Sequence, residues 1–322
     1  MHIEIFNQTQ NKIIILVTVF LASLFESFGI SLIYPFISIL FELEHNNSFV
    51  LMIENFLEDL SLPRDQYSLA FYIIFLLLLK STFLLFYRYL CAKSVLSFLV
   101  RIRSTIYKSI FRAKFGFAAD KVSQLTNGLT IQSDLSASAL QVQYNIIQAG
   151  FTFISLLILG LVLEFKTLLI AIAIGLIIYS LMLITLRVAK NIGYNLAQLN
   201  EKYYKDINHG LKNYKYLKST YSSYAIFNRI SPLLSKINSE QIKFTVVNMG
   251  TKLFTDPIVV LSIATVLFIS LTYLSVSLAS VVVIYIILGR IYVQLISIIG
   301  QLQAYHKETE SYKYCNKLIS ES

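Results

Sequence analysis

The chain is poor in nearly everything that gives a water-soluble enzyme its surface and its chemistry. Only 14% of its 322 residues are charged against 56% hydrophobic, and the mean hydropathy is +0.66. Polar side chains this sparse cannot cover a soluble domain of that size. Tryptophan is absent and cysteine occurs only at Cys91 and Cys315, which supplies neither a disulfide framework nor a metal site. The histidines, His2, His45, His209 and His306, are scattered, and no acidic cluster falls on the basic connections. A lipid-processing membrane enzyme therefore lacks its usual carboxylate or histidine groups. Lys80-Ser81, Lys93-Ser94, Lys108-Ser109, Lys166-Thr167 and Lys218-Ser219 all lack a preceding glycine. A phosphate loop of the form G-x-x-x-x-G-K-[ST] is missing, so this chain by itself should neither bind nor hydrolyse ATP.

What the chain has in abundance is apolar length. Crossing ~30 Å of hydrocarbon takes about 20 mainly apolar residues, and six runs qualify, at roughly 13–41, 67–90, 137–163, 167–187, 246–274 and 277–303. They are too long for barrel strands and do not alternate. The expected fold is all-α: a polytopic membrane protein with six transmembrane helices in a single domain, residues 1–322. The first run is too long for a secretory leader, lacks a small-residue cleavage site and contains Glu26, so it reads as a span.

The net charge of +9 is unevenly spread. Between the first two runs Glu42, Glu44, Glu54, Glu58, Asp59 and Asp65 face Arg64 alone, whereas the connections after the second and fourth runs are rich in Lys and Arg. This is the positive-inside pattern with both termini cytoplasmic. The basic excess is thus a topology signal, and nucleic acid is not an expected partner.

The two basic connections are patterned as helices. From Tyr89 to Arg112 apolar residues recur at helical spacing with neither Pro nor Gly, so the second span should run on into the cytosol; Tyr67 to Arg112 as one helix would be roughly 70 Å long. The pattern recurs from Leu186 to Asn208 after the fourth span, free of Pro with a lone Gly193, and from Ser235 to Val247 before the fifth. Short breaks are expected near Phe115 to Thr130 and near Gly210 to Ser223. Two helical hairpins capped by irregular tips should therefore project into the cytosol.

This arrangement, with three local strings, resembles the transmembrane domain of ABC exporters. Glu26-Ser27-Phe28-Gly29-Ile30-Ser31-Leu32 followed by Pro35-Phe36 resembles the first span of relatives of the bacterial flippase of lipid-linked oligosaccharides. Ser123-Gln124-Leu125-Thr126-Asn127-Gly128-Leu129-Thr130 is similar to the stretch after the first coupling helix, and Gly210-Leu211-Lys212-Asn213-Tyr214-Lys215 to the second coupling helix. The chain departs from the pattern at Ser123, Gln132 and Thr220, where many relatives carry Gly, an acidic residue and Glu. The resemblance implies a subunit of an ATP-driven exporter or flippase in a bacterial cytoplasmic membrane, paired as a homodimer or heterodimer with a second transmembrane domain. It also implies nucleotide-binding domains, separate from this chain or lost, that would carry ATP and Mg. Phe115, Gly116, Phe117, Asp120 and Lys121 in the first tip, and Gly210, Lys212, Tyr214 and Lys215 in the second, are the implied coupling contacts. A motorless scaffold is the alternative.

Ionisable groups in spans are expensive and face a bundle interior or a wet cavity. Glu26, Lys80, Arg88, Lys252, Asp256 and Arg290 are the candidates for a substrate pathway. Glu26 has two readings, an interhelical partner for Lys80 or Arg290 and a direct substrate contact. Lys80, Arg88 and Arg290 together would suit an anion such as a lipid pyrophosphate, with Arg88 otherwise free to snorkel. Pro35 should kink the first span near its outer end, and Asp256-Pro257 repeats the combination in the fifth.

Overall fold

In a computed structural model the described residues are 12–41, 65–112, 122–221, 223–273 and 278–321, with isolated positions between 52 and 63. In chain order they form α1 (Lys12–Ser31), α2 (Ile33–Leu40), α3 (Gln66–Arg112), α4 (Val122–Asn127), a π-helical turn (Gly128–Gln132), α5 (Ser133–Leu163), α6 (Phe165–Lys212), α7 (Tyr214–Ser219), α8 (Ser223–Tyr273) and α9 (Leu278–Glu321). No strand occurs among the described residues.

Local chemistry explains where these helices start, run and stop. Asp65 caps α3, its carboxylate accepting from the Ser68 amide at 3.3 Å and hydroxyl at 2.8 Å. With no Pro or Gly inside it, α3 runs unbroken for 47 residues, as the spacing predicts. The first span divides at Leu32, three residues before Pro35: proline has no N–H to give the Ser31 carbonyl, and the helix resumes as α2. Pro257 behaves otherwise, because α8 continues through both Pro232 and Pro257. Near the first tip the chain is already helical from Val122, so the irregular break expected to reach Thr130 ends earlier. The second tip contains the short helix α7 between Asn213 and Tyr221, whose φ of 53° turns the chain back toward α8.

Among the described residues, four stretches are long and apolar enough to cross a membrane: Lys12–Leu40, Gln66–Arg112, Gln124–Leu163 and Ser280–Ser320. The other two expected spans fall in α6 and α8, where the described residues hold the shorter apolar helix Val260–Thr272. The most extensive helix pairings are α9 with α5, α8 with α6, and α3 with α1. Two cores follow. One gathers Ile30, Leu156, Leu168, Val266, Val283 and Ile287 around α5, α6, α8 and α9; the other gathers Val19, Tyr87, Phe98, Ile106, Tyr144 and Cys315 from α1, α3, α5 and α9. Gly160 permits the tight α5–α6 turn, since a Cβ there would lie 3.2 and 3.3 Å from the Leu168 methyls. At Gly150 and Gly175, by contrast, a Cβ would face open space.

Candidate functional site

The inner position of α1 explains how a carboxylate survives in an apolar span. Half of α1's apolar stretch is covered by protein, whereas α3 leaves Phe71, Ile74, Leu78 and Leu85 exposed along its length, as lipid-facing side chains are. Glu26 lies on the covered side, 3% exposed, and two helices bring cations to it. Lys80 of α3 places its Nζ 2.8 Å from Glu26 Oε1, and Arg290 of α9 places Nη1 3.8 Å from the same oxygen. Glu26 Oε1 accepts no well-directed hydrogen bond, so both contacts are ionic. Glu26 thus makes the interhelical pairing with both of the cations expected for it.

Two cations share one carboxylate, leaving the cluster one positive charge in excess. Burial differs along it: Glu26 is enclosed, Lys80 is 20% exposed and Arg290 is 53% exposed. The guanidinium is the group still open to approach, and its planar fork suits bidentate binding of an oxyanion. Arg88 is exposed two turns beyond Lys80 and does not join the cluster. The side chains of Lys252 and Asp256 lie outside the described residues.

Below this cluster α5 and α9 exchange amide and hydroxyl contacts that sequence reasoning missed. Gln143 Nε2 donates to the Tyr305 hydroxyl at 3.0 Å, Asn145 Nδ2 to Gln301 Oε1 at 3.4 Å, and Gln303 Nε2 to the Thr185 hydroxyl of α6 at 2.9 Å. The signal was available: Gln141, Gln143, Asn145 and Gln148 crowd one end of an apolar run, with Gln301 and Gln303 at the matching end of the last. Nearby, the Tyr87 hydroxyl donates to the Tyr144 carbonyl at 2.6 Å, and the Tyr144 hydroxyl meets Ser94 at 2.8 Å, tying α3 to α5.

The second projecting tip is a surface of unusual character. Leu211, Tyr214, Tyr216, Tyr221, Tyr224 and Phe227 are all exposed there, among Lys212, Lys215 and Lys218. Gly210 lets α6 and α8 approach, since a Cβ would sit 3.2 Å from Ile226 Cδ1. A groove of about 470 Å³ opens beside α7, lined by Leu211, Tyr214, Leu217, Ile226 and Ile230. Arg229 and Asp206 pair at 3.0 Å across the hairpin stem, where Ile192, Leu196 and Ile237 form a small core. The apolar groups at this end of the hairpin are thus exposed on a braced stem. Phe115, Gly116, Phe117, Asp120 and Lys121 of the first tip lie outside the described residues.

The pattern of the ABC transporter transmembrane region matches residues 12–294. The chain belongs to this family. It is a multi-pass membrane protein and the membrane-spanning part of an ABC transporter. No curated protein matches the sequence. The match takes in Glu26, Lys80 and Arg290, and also Gly210 and Lys212 at the end of α6 and Tyr214 and Lys215 in α7.

Proposed function

We propose that the chain is the membrane-spanning subunit of an ATP-driven exporter or flippase with six spans, both termini in the cytosol of a bacterial cell, and a separate nucleotide-binding partner carrying ATP and Mg. The observation that carries this reading is the braced, aromatic, lysine-flanked tip around α7, which offers a partner an apolar surface with positive charge beside it. In this reading Gly210, Lys212, Tyr214 and Lys215 are coupling contacts, with Phe115 to Lys121 as the second pair of the same kind. Closure of the partners on ATP would draw the tips together and turn a cavity between spans from one side of the membrane to the other.

A second copy or a related transmembrane chain completes the machine. Support comes from Leu96, Val100, Tyr107 and Phe111 on α3, and Phe227 and Ile242 on α8, large apolar side chains left exposed along the projecting stretches. The cluster of Glu26, Lys80 and Arg290 is the proposed substrate contact, and its single excess positive charge favours a cargo with an anionic head, as a lipid-linked phosphate has. Arg88, Lys252 and Asp256 are assigned to the same pathway.

The test is purification of the tagged chain from its host in mild detergent, followed by mass spectrometry and an ATPase assay. A stoichiometric ATP-binding subunit with vanadate-sensitive activity is the expected result. A homodimer without ATPase refutes the transport reading and leaves a scaffold.

A further inference from the structure

α4 runs into α5 through the π-helical turn Gly128–Gln132. Such a turn closes on i→i+5 hydrogen bonds and so holds one residue more than a turn of α-helix. That extra residue sets the register of everything before it. Closed as α-helix, the turn would leave Val122–Asn127 rotated by about 100° and about 1.5 Å farther from α5, each residue in the place its predecessor holds now. Groups from three helices hold the present register. The Ser133 hydroxyl shares its proton between the Leu129 and Thr130 carbonyls, both at 2.9 Å, inside the widened turn. Arg103 of α3 donates to Ser133 Oγ from Nε at 3.0 Å and meets Asp134 Oδ1 with Nη2 at 2.7 Å. Leu318 of α9 comes so close that a Cβ on Gly128 would lie 2.7 Å from its Cδ1.

This register has a gain and a cost on neighbouring residues. It buries Leu125, 5% exposed, but also Asn127, 1% exposed, whose amide nitrogen and oxygen have no hydrogen-bond partner among the described residues. Thr126 between them is exposed. Closing the turn would carry Asn127 into the exposed place of Thr126, where water satisfies its amide, Thr126 into the buried place of Leu125, and Leu125 into the half-buried place of Gln124. Hydration of a stranded amide and burial of one leucine are free energies of similar size. We propose that the π-helical turn is a register switch, whose two states exchange these places and re-aim α4 against α6 and α9. That the motion reaches a partner rests on the coupling reading above; the switch belongs to this chain, and its test needs neither nucleotide nor partner.

The test follows maleimide labelling of Thr126→Cys in the full chain in lipid nanodiscs, by peptide mass spectrometry. Fast labelling is expected, because the site is exposed. Leu125→Ala removes the gain of the π register and should slow labelling at least tenfold, by drawing residue 126 into the vacated buried place. Loosening of α4 could not protect an exposed thiol. Adding Asn127→Leu removes the stranded amide and should restore fast labelling. The buried Cys91 and Cys315 report unfolding in the same digest. Should they label, Arg103→Gln replaces Leu125→Ala: its side chain is 40% exposed, and its loss frees Ser133 and Asp134. Undiminished labelling in the variant that stays folded, or protection that Asn127→Leu does not reverse, overturns the switch.

Discussion

Replacing Glu26 by Gln keeps the side chain's shape and removes the charge that holds three helices together. At 2.8 Å and an effective dielectric near 20, its attraction to Lys80 is about 6 kcal/mol, and the 3.8 Å contact to Arg290 adds about 4 kcal/mol. Desolvation of a carboxylate that is 3% exposed offsets much of this. What remains on truncation is the cost of stranding Lys80 beside Arg290. That is about 3 kcal/mol, the low end for a broken buried pair, because Arg290 is 53% exposed and can turn away. Glu26→Gln should therefore lower the melting temperature by roughly 4 °C, the unfolding entropy being that of a 322-residue chain. Cys91 and Cys315 are both buried, so a thiol-reactive dye reads unfolding directly in detergent. The double variant Glu26→Gln/Lys80→Met removes the stranded ammonium and should regain about 1–3 kcal/mol relative to additivity. An unchanged melting temperature for Glu26→Gln, or a strictly additive double variant, refutes the pairing as a source of stability.

Three further outcomes can be checked. Charge reversal of Lys212 and Lys215 should abolish ATP-driven transport while leaving membrane insertion and melting unchanged, since both side chains are exposed; unimpaired transport would sink the coupling role. Gly160→Val should destabilise by about 1–3 kcal/mol through overpacking against Leu168 and Ile287, whose Cγ2 lies 3.5 Å from a Cβ at that position, and thermal unfolding measures it. Cys315 is fully buried, its thiol shielded from solvent. It should resist maleimide at neutral pH until the chain unfolds.

Much of the molecule was readable without coordinates, because its determinants are local. The absence of Pro and Gly from 66–112 made one helix of a span and its extension; hydrocarbon thickness marked the apolar runs; and Pro35 marked the place where the first span divides. Glu26 was recognisable as an anomaly from composition alone. Which partner it took was not, since Lys80 and Arg290 are 54 and 264 residues away in sequence and only the packing of α1 against α3 and α9 brings them to one oxygen. The behaviour of the glycines was equally illegible: Gly160 sits in a tight approach and Gly150 in open space, although both lie in the same helix and neither local sequence distinguishes them. Asn127 makes the same point, as a motif letter in the string and a buried, unsatisfied amide in the fold. Helical periodicity and hydropathy depend on neighbours along the chain and so belong to the sequence. Ion pairs, cavities and unmet hydrogen bonds depend on what long-range packing sets opposite each side chain, and only the tertiary structure decided them.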